Sequence, residues 1–232
     1  MNKKRIESSH VVILGAGASR AAFPKGDASG RKLPLMNELI ETLGLTEVIE
    51  KQGYIGDTSD FESFYSDISN KRQYIPILPE IQDRVRSYFE PLQIPSEATL
   101  YDYLILSLGE KDLIATFNWD PLLLQAYRRS LDLKPLPELA FLHGNVYEGM
   151  CEVHRRVGYL GSVCEICRKE LKPVQLLYPI SRKDYNKNPV IKWHWDKLAY
   201  YLDRSYFLTI FGYSAPRTDI EARSVMHKAW SG

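Results

Sequence analysis

Residues 11–19 read Val11-Val12-Ile13-Leu14-Gly15-Ala16-Gly17-Ala18-Ser19, and the rest of the fold is organised around this stretch. Four consecutive aliphatic residues, three of them β-branched, predict a short strand that is buried on both faces. Gly15 and Gly17 then allow a tight turn, because a residue without Cβ can take a positive φ and lets a ligand approach the backbone. Ser19 and the small residues after it suit a helix start, whose free N–H groups would suit a phosphate. A plain tight connection is the alternative, since Arg20 replaces the third glycine of the common dinucleotide fingerprint.

The composition is that of an ordinary globular protein. A chain of 232 residues has the size of one large domain or of one domain with an insertion. A net charge of +1 gives it no general attraction to nucleic acid or to an acidic membrane surface. No apolar run approaches the roughly 20 residues of a membrane span, and no signal peptide is recognisable. We therefore expect a cytoplasmic protein, in which cysteines serve as metal ligands or nucleophiles and not as disulfides.

Strand and helix patterns alternate along the remaining sequence. Short apolar runs predict strands at residues 113–117, 139–142, 174–178 and 206–211. Apolar residues at helical spacing predict a helical insertion at about residues 35–108, with its last helix starting at Ser96. Asn188-Pro189 predicts the start of a later helix, and Thr218 with Glu221 forms a capping-box pattern for a final one. The alternation indicates an α/β fold, with a mostly parallel sheet and helices on both faces.

Polar triplets follow the strands of this predicted sheet. They are Gly15-Ala16-Gly17, Asn118-Trp119-Asp120, His143-Gly144-Asn145 and Gly212-Tyr213-Ser214. Because ligands bind at the carboxyl ends of strands in open parallel sheets, we expect the triplets to form one site. The loop at residues 23–34 is interpreted either as a lid over that site or as a plain surface segment. Asn118 could equally be a turn residue, and Asp120 the N-cap of the helix that begins at Pro121.

The three cysteines of the chain all lie within 17 residues of sequence, from Cys151 to Cys167. Cys151-x-x-His154 is followed by Cys164-x-x-Cys167, two ligand pairs with the spacing of a structural zinc site. Four such ligands leave no open position on the metal, and the module, at about residues 148–172, would fold only with metal bound. The alternative is three incidental thiols and a surface histidine.

Taken together, these motifs resemble those of the sirtuin superfamily. Gly15-Ala16-Gly17-Ala18-Ser19 is similar to its Gly-Ala-Gly-x-Ser loop, and Thr116-Phe117-Asn118-Trp119-Asp120 to its Thr-Gln-Asn-Ile-Asp motif. His143-Gly144 is similar to its His-Gly and is also followed by a cysteine zinc module, while Gly212-Tyr213-Ser214 lies where sirtuins have Gly-Thr-Ser. The resemblance spans nearly the whole chain, and it implies a Rossmann-like domain with a small zinc module and NAD as its ligand.

The departures from the sirtuin pattern indicate which members of the superfamily the chain resembles more. The Pro-Asp-Phe-Arg segment after the first loop is absent, and residues 31–36 occupy that region. The Phe-Gly-Glu segment that helps deacylases bind an acyl-lysine peptide is also absent after the zinc module. The motifs around Asn118, His143 and Gly212 look more like the bacterial sirtuin-like NADase domains of antiphage defence. Those domains hydrolyse NAD to nicotinamide and ADP-ribose, often after activation by a partner protein or neighbouring domain.

The resemblance implies a role for each site residue. Asn118 would orient a water and the ribose hydroxyls, Asp120 would hold the nicotinamide carboxamide, and His143 would be the general base. The residues assigned to cofactor binding are Gly15, Ala16, Gly17, Ser19, Gly212 and Ser214. The ligands of the structural zinc would be Cys151, His154, Cys164 and Cys167.

Three classes of function stay open at this point. The first is an NAD hydrolase, and the second is an NAD-dependent protein deacylase that uses the same Asn118 and His143. The third is a sensor module that binds an adenine nucleotide without turnover. An oligomer and an activating partner are both compatible with the sequence. The chain ends at Gly232, one predicted helix after the last strand, where such a sheet often continues; this is consistent with a chain truncated at its C-terminus.

Overall fold

The computed structural model of the chain describes residues 8–179, 188–215, 219, 222–224 and 226–227. The strands are β1 (Ser9–Leu14), β2 (Leu113–Thr116), β3 (Glu138–Phe141), β4 (Glu148–Met150), β5 (Val157–Tyr159), β6 (Lys172–Pro173) and β7 (Ser205–Phe211). The helices are α1 (Ala16–Ala22), α2 (Leu39–Thr42), α3 (Thr46–Lys51), α4 (Phe61–Ser69), α5 (Leu78–Phe89), α6 (Leu100–Ser107), α7 (Leu122–Arg129) and α8 (Pro189–Leu202), with a 3-10 helix at Arg72–Ile77.

The main sheet has four parallel strands in the order β3-β2-β1-β7. From β1 the chain continues to β2 and β3 on one side, whereas β7 joins on the other side. The carboxyl ends of β1 and β7 therefore form the switch point at which open α/β sheets bind ligands. The predicted parallel sheet is confirmed, and the order of the strands brings the first and last polar triplets together.

Strand β1 is buried on both faces, as its aliphatic run predicts. Val11 and Ile13 pack into a core with helix α8, whose inward side chains include Trp195. Val12 and Leu14, on the opposite face, belong to a second core that contains residues of α1, α4, α5, α6 and α7. Helices therefore cover both faces of the sheet, and this confirms the predicted α/β, Rossmann-like architecture.

The glycine turn after β1 differs from its prediction. Helix α1 begins at Ala16 and not at Ser19, and Gly15 has a φ of −122°, outside the left-handed region. The two glycines are needed for close packing against the backbone at Gly212. A Cβ on Gly15 would lie 2.5 Å from the Gly212 carbonyl oxygen, and one on Gly17 would lie 2.9 Å from the Gly212 Cα. Glycine at positions 15 and 17 therefore allows β7 and α1 to approach each other. Neither glycine is required by a left-handed backbone conformation.

Helices α2 to α6 lie between β1 and β2 in the chain and share one core with the sheet. That they are an insertion into a shorter parent domain stays a prediction. The last of these helices begins at Leu100 and not at Ser96, because Thr99 and Asp102 form a capping box. Helix α4 lies in a region whose mixed composition gives no clear pattern, and Asp60 accepts a hydrogen bond from the Ser63 N–H at its start.

The predicted strand at residues 174–178 is wrong. This segment is extended, but it makes only single backbone hydrogen bonds, each 2.9 Å long: the Val174 N–H donates to the Glu148 carbonyl at the start of β4, and the Leu177 N–H donates to the His143 carbonyl in the loop after β3. Val174 and Leu176 are buried while Gln175 is exposed. The alternating pattern thus indicates an extended backbone with one buried face. An extended segment can have such a face without pairing to a neighbouring strand.

The neighbouring strands β4, β5 and β6 form a small antiparallel sheet in the order β5-β4-β6, which carries the cysteine module. The capping pattern at Thr218 lies outside the described residues. None of the described helices has the length and apolar character needed to cross a membrane.

Candidate functional site

A cavity of about 560 Å³ lies at the carboxyl edge of the main sheet. Every predicted site residue apart from the metal ligands lies on its wall, namely Gly15, Ala16, Gly17, Ser19, Asn118, Asp120, His143, Gly212 and Ser214. These residues follow β1, β2, β3 and β7, and they meet because parallel strands end at the same edge of a sheet. The structure therefore brings them together, whereas the role of each one stays a prediction.

Asn118 is held by hydrogen bonds from its side-chain amide group. Its Nδ2 donates to the Gly15 carbonyl oxygen and to the Ser19 hydroxyl, with both distances 2.9 Å. Because a carbonyl can only accept, the nitrogen and not the oxygen of the amide must face Gly15. The backbone N–H of Asn118 also bonds to the Thr116 hydroxyl at 3.0 Å. The Oδ1 acceptor of Asn118 is thus left as the part of the amide that can serve a ligand.

The Ser19 hydroxyl is a junction of three hydrogen bonds. Its Oγ lies 2.7 Å from the Asp120 Oδ2, 2.7 Å from the Tyr101 hydroxyl and 2.9 Å from the Asn118 Nδ2. A hydroxyl has one donor and two acceptor positions, so these partners fill its capacity. Ser19 is also 3% exposed. A phosphate contact from this side chain would therefore require the hydroxyl to leave its present partners.

Asp120 is a buried carboxyl group with two internal partners. One oxygen accepts from Ser19, and the other accepts from the Leu122 N–H at 3.1 Å, in the first turn of α7. Burial raises the pKa of Asp120, against the opposing effect of these hydrogen bonds. The helix begins at Leu122 with Pro121 as its N-cap, one residue later than predicted, so Asp120 bonds to its first N–H from the position before the cap. A carboxylate has about four acceptor positions, so a further contact to a ligand is compatible with it.

His143 lies at the end of β3 in a largely buried position, with a relative exposure of 9%. Its ring packs edge-on against Phe117 with the centroids 4.9 Å apart, and Phe117 in turn stacks on Tyr213 at 4.1 Å. The backbone carbonyl of His143 accepts from the Leu177 N–H, which fixes the loop that follows β3. Aromatic packing and backbone bonding therefore hold the imidazole at the cavity wall.

Two aromatic residues of the site were assigned no individual role from the sequence, although Trp119 belongs to one of the polar triplets. Tyr101, from α6, reaches the site through Ser19, and Trp119 lines the cavity beside Asn118. The indole N–H of Trp119 finds no hydrogen-bond partner among the described residues, although the side chain is 5% exposed. A helical tyrosine among leucines gives no local signal of a site, whereas the position of Trp119 inside a polar triplet does.

The loop after α1 covers part of the cavity, with residues 33–37 on the cavity wall. Asp27 organises this loop by accepting hydrogen bonds from the backbone of Ser29, Arg31 and Gln93. Burial raises the pKa of Asp27, but these bonds and that of the Ser29 hydroxyl outweigh it and leave the pKa below its usual range. The loop is therefore tied to the body of the protein, and its position favours the lid interpretation over a plain surface segment.

Arg20 provides a second tie for this loop. Its guanidinium forms a bidentate pair with Glu38, with both distances 2.8 Å, and also donates to the Leu33 carbonyl oxygen at 2.9 Å. The pKa of Glu38 is lowered, chiefly by the hydrogen bond from Arg20. The residue that replaces the third glycine of the dinucleotide fingerprint thus connects α1 to the cavity wall.

The four predicted metal ligands converge in the small sheet module. The ligand atoms of Cys151, His154, Cys164 and Cys167 all lie within 4.8 Å of one another. The distances from Cys151 Sγ to His154 Nδ1, from Cys151 Sγ to Cys167 Sγ and from Cys164 Sγ to His154 Nδ1 are each 3.6 Å. Tetrahedral zinc with its usual bond lengths places such atoms about 3.5–3.8 Å apart. The donor set and its spacing therefore fit a structural zinc ion.

The backbone around both ligand pairs has the same form. Arg155 donates to the Cys151 carbonyl at 2.7 Å, and Arg168 donates to the Cys164 carbonyl at 2.8 Å. Both arginines have left-handed φ values, 50° and 58°. The pKa of the Cys151 thiol is lowered to about 6, chiefly by the hydrogen bond from the backbone N–H of His154. Two equivalent turns thus present the sulfurs, and one of them favours the thiolate that metal binding requires.

Comparisons with known proteins find similarity only among solved structures. No family model matches the chain, and no curated protein matches it. A Sir2 homologue solved as an NAD complex is 15% identical, and the alignment covers 97% of this chain and 76% of that one with a TM-score of 0.48. A mutant Sir2 homologue solved with ADP ribose is 13% identical, covering 98% of this chain and 79% of that one with a TM-score of 0.46. Likeness at these values defines no activity, ligand or residue role for this chain.

Proposed function

We propose that this chain binds NAD in the cavity at the sheet edge and hydrolyses its nicotinamide–ribose bond to nicotinamide and ADP-ribose. One observation carries the proposal: a single cavity collects the polar ends of four parallel strands, with Asn118 and His143 both on its wall. Its volume of about 560 Å³ lies within the usual range for cofactor sites. The motif order in the sequence, which resembles that of sirtuin-like NADases, supports the choice of ligand.

The charges on the cavity wall suit this reaction. Cleavage of the bond to nicotinamide gives the ribose an oxocarbenium-like positive charge. Carboxyl groups line the cavity at Asp60, Glu62, Asp120 and Asp219, and the described part of the lining contains no lysine or arginine. Carboxylates near such a centre stabilise the developing charge.

Two side chains would manage the water. The Oδ1 of Asn118 accepts no hydrogen bond from the residues that the structure describes, so it can bind a water hydrogen or a ribose hydroxyl and orient the nucleophile. His143 would accept the proton as general base, a task for which an imidazole is suited near neutral pH. Ser214 and Gly212 would contribute to the adenosine side of the site, where they meet the start of α1. The cysteine module would hold zinc as a structural ion, since all four of its ligand positions are filled by protein.

The direct test is to incubate the zinc-loaded protein with NAD and to separate the products by chromatography. Nicotinamide and ADP-ribose should appear from NAD and water alone, and Asn118→Ala and His143→Ala should each lower the rate by about 100-fold or more. His10→Ala is a matched control, because His10 lies near the opposite end of β1. Release of nicotinamide only with an acylated peptide would favour a deacylase, and binding without products would favour a sensor.

We further propose that the reaction serves bacterial antiphage defence by depleting NAD, as the resemblance implies. An activating partner protein, or assembly into an oligomer, would then switch the enzyme on. Measuring NAD in infected cells that carry the intact protein or His143→Ala tests this role. An unchanged NAD level during infection would contradict it, even if the purified protein hydrolyses NAD.

A further inference from the structure

The hydroxyl of Tyr101 reaches the candidate site from a helix that has no other part in it. Tyr101 lies on α6, which precedes β2 in the chain, and its side chain is 1% exposed. Its ring packs edge-on against Phe23 at 5.5 Å. Its oxygen lies 2.7 Å from the Ser19 Oγ and 3.5 Å from the Asn118 Nδ2. A buried hydroxyl therefore lies next to the candidate water-orienting residue, Asn118.

The direction of the hydrogen bonds follows from the donors and acceptors that are available. The Ser19 hydroxyl donates its single proton to the Asp120 Oδ2, 2.7 Å away. The Tyr101 hydroxyl must then donate to the Ser19 oxygen. The second acceptor position of Ser19 takes a hydrogen from the Asn118 Nδ2. Tyr101 and Asn118 therefore share the two acceptor positions of one oxygen atom.

This sharing fixes the orientation of the Asn118 amide. One of its two hydrogens goes to the Gly15 carbonyl and the other to Ser19, so the plane of the amide is set by two acceptors. The Ser19 oxygen can hold its position because it is itself bound on the remaining sides by Tyr101 and Asp120. Without the tyrosine hydroxyl, one acceptor position of Ser19 becomes free, and the hydroxyl gains freedom to rotate or to bind water.

We propose that Tyr101 is a positioning residue, which acts through Ser19 to hold Asn118 with its Oδ1 acceptor ready for the water or ribose hydroxyl. The inference rests on the proposed NAD hydrolysis for its catalytic consequence, but its structural part is independent of that reaction. Ser19 is the junction of this arrangement and not a phosphate ligand through its hydroxyl. Through Tyr101, helix α6 thereby sets the geometry of a residue at the end of β2.

The kinetic test uses Tyr101→Phe, which deletes only the hydroxyl. The value of kcat should fall about five- to tenfold, the effect of one net hydrogen bond, while KM for NAD stays within about twofold. Tyr54→Phe is the matched control, because it deletes a tyrosine hydroxyl that bonds to Asp67 away from the cavity. A loss of kcat in the control that equals the loss in Tyr101→Phe would overturn the proposal.

The path through Ser19 is tested by a double-mutant cycle. If Tyr101 acts through this junction, then Tyr101→Phe should have little further effect on kcat when Ser19 is already alanine. Full additivity of the two losses would overturn the path. Should Tyr101→Phe fail to fold, Ser19→Ala alone keeps the test decisive, since it must lower kcat without raising KM, and an unchanged kcat would refute the junction.

A readout without substrate separates this inference from the proposed function. In the NMR spectrum, the side-chain amide signals of Asn118, identified by their loss in Asn118→Asp, should shift and exchange faster with solvent in Tyr101→Phe. They should stay unchanged in Tyr54→Phe. If the protein proves not to hydrolyse NAD, the proposed function fails, and these signals still decide the positioning. Unchanged Asn118 signals in Tyr101→Phe would refute it.

Discussion

Substitution of Gly212 by alanine tests how β7 and α1 come together at the edge of the cavity. Gly212 has a φ of +67°, and a Cβ there would lie 2.0 Å from the Ala18 backbone nitrogen and 2.4 Å from the Gly17 carbonyl carbon. The contacted atoms are backbone, so no side-chain rotation can relieve the overlap. Gly212→Ala therefore combines the cost of a left-handed backbone conformation with the cost of a steric clash. The two costs can be separated by comparison with variants of two other glycines.

Two other glycines isolate the two costs. Gly30 has a φ of +80° and no atom within 4 Å of an added Cβ, so Gly30→Ala measures the conformational cost alone. Gly15 has an ordinary extended φ of −122°, but its Cβ would lie 2.5 Å from the Gly212 oxygen, so Gly15→Ala measures the clash. We expect about 1–2 kcal/mol from the left-handed conformation and about 1–3 kcal/mol from overpacking. Gly212→Ala should then lose about 2–5 kcal/mol of unfolding free energy.

The assay is urea unfolding followed by circular dichroism, with thermal unfolding as a second measure. For a chain of this size, each 1 kcal/mol corresponds to roughly 2–4 °C in Tm. Gly30→Ala should be the most stable of the three variants, and Gly212→Ala the least stable. If Gly30→Ala were as destabilising as Gly212→Ala, and Gly15→Ala had no effect, the close approach of the two backbones would carry no cost and the reasoning would be refuted.

Further predictions concern the buried ion pair and the metal. Asp102→Asn breaks the pair with Arg129 and should cost about 2 kcal/mol of unfolding free energy, measured in urea, with Lys71→Met at an exposed ion pair as control. Burial raises the pKa of Asp102, but the hydrogen bonds from Arg129 and Thr99 outweigh it and leave the pKa below its usual range. Its stabilising effect is therefore complete above about pH 4 and lost as the pH falls through the native pKa, so Asp102→Asn should weaken the loss of Tm in acid. Cys164→Ser should lower bound zinc, measured by elemental analysis, and speed hydrogen exchange in the small sheet but not in β1; retention of zinc and of protection would contradict the assigned ligands.

Local sequence patterns predicted most of the main sheet. The β-branched run at 11–14 identified β1 because a strand covered on both faces needs apolar residues throughout. The same type of reasoning failed at 174–178, since alternation reports only which side chains are buried. The start of α6 was misplaced because Ser96 is a good cap by residue type, whereas Thr99 has Asp102 three residues later to complete the box.

Chain order and parallel strand pairing predicted those residues of the candidate site that directly follow the strands. Triplets that follow neighbouring parallel strands must meet at one edge, and the cavity lies there. The contribution of Tyr101 was not predictable in this way, and the sequence left the loop after α1 open between a lid and a plain surface segment. Their patterns match those of core and loop residues, and only the packing of α6 and of the loop against the sheet edge brings them to the cavity.

The sequence by itself determined most strand and helix types and the cluster of Cys151, His154, Cys164 and Cys167, because each depends on residues close together in the chain. The parallel sheet followed less directly, from the alternation of strands with helices along the chain. Cys151 and Cys167 meet through turns within a single short module. Only the tertiary structure showed what the glycines and Ser19 contact. The partners of Ser19 lie 82, 99 and 101 residues away, and the atoms that demand glycine at position 15 belong to Gly212 and Tyr213. Contacts between such distant segments depend on how whole elements pack, and no local pattern of residues encodes them.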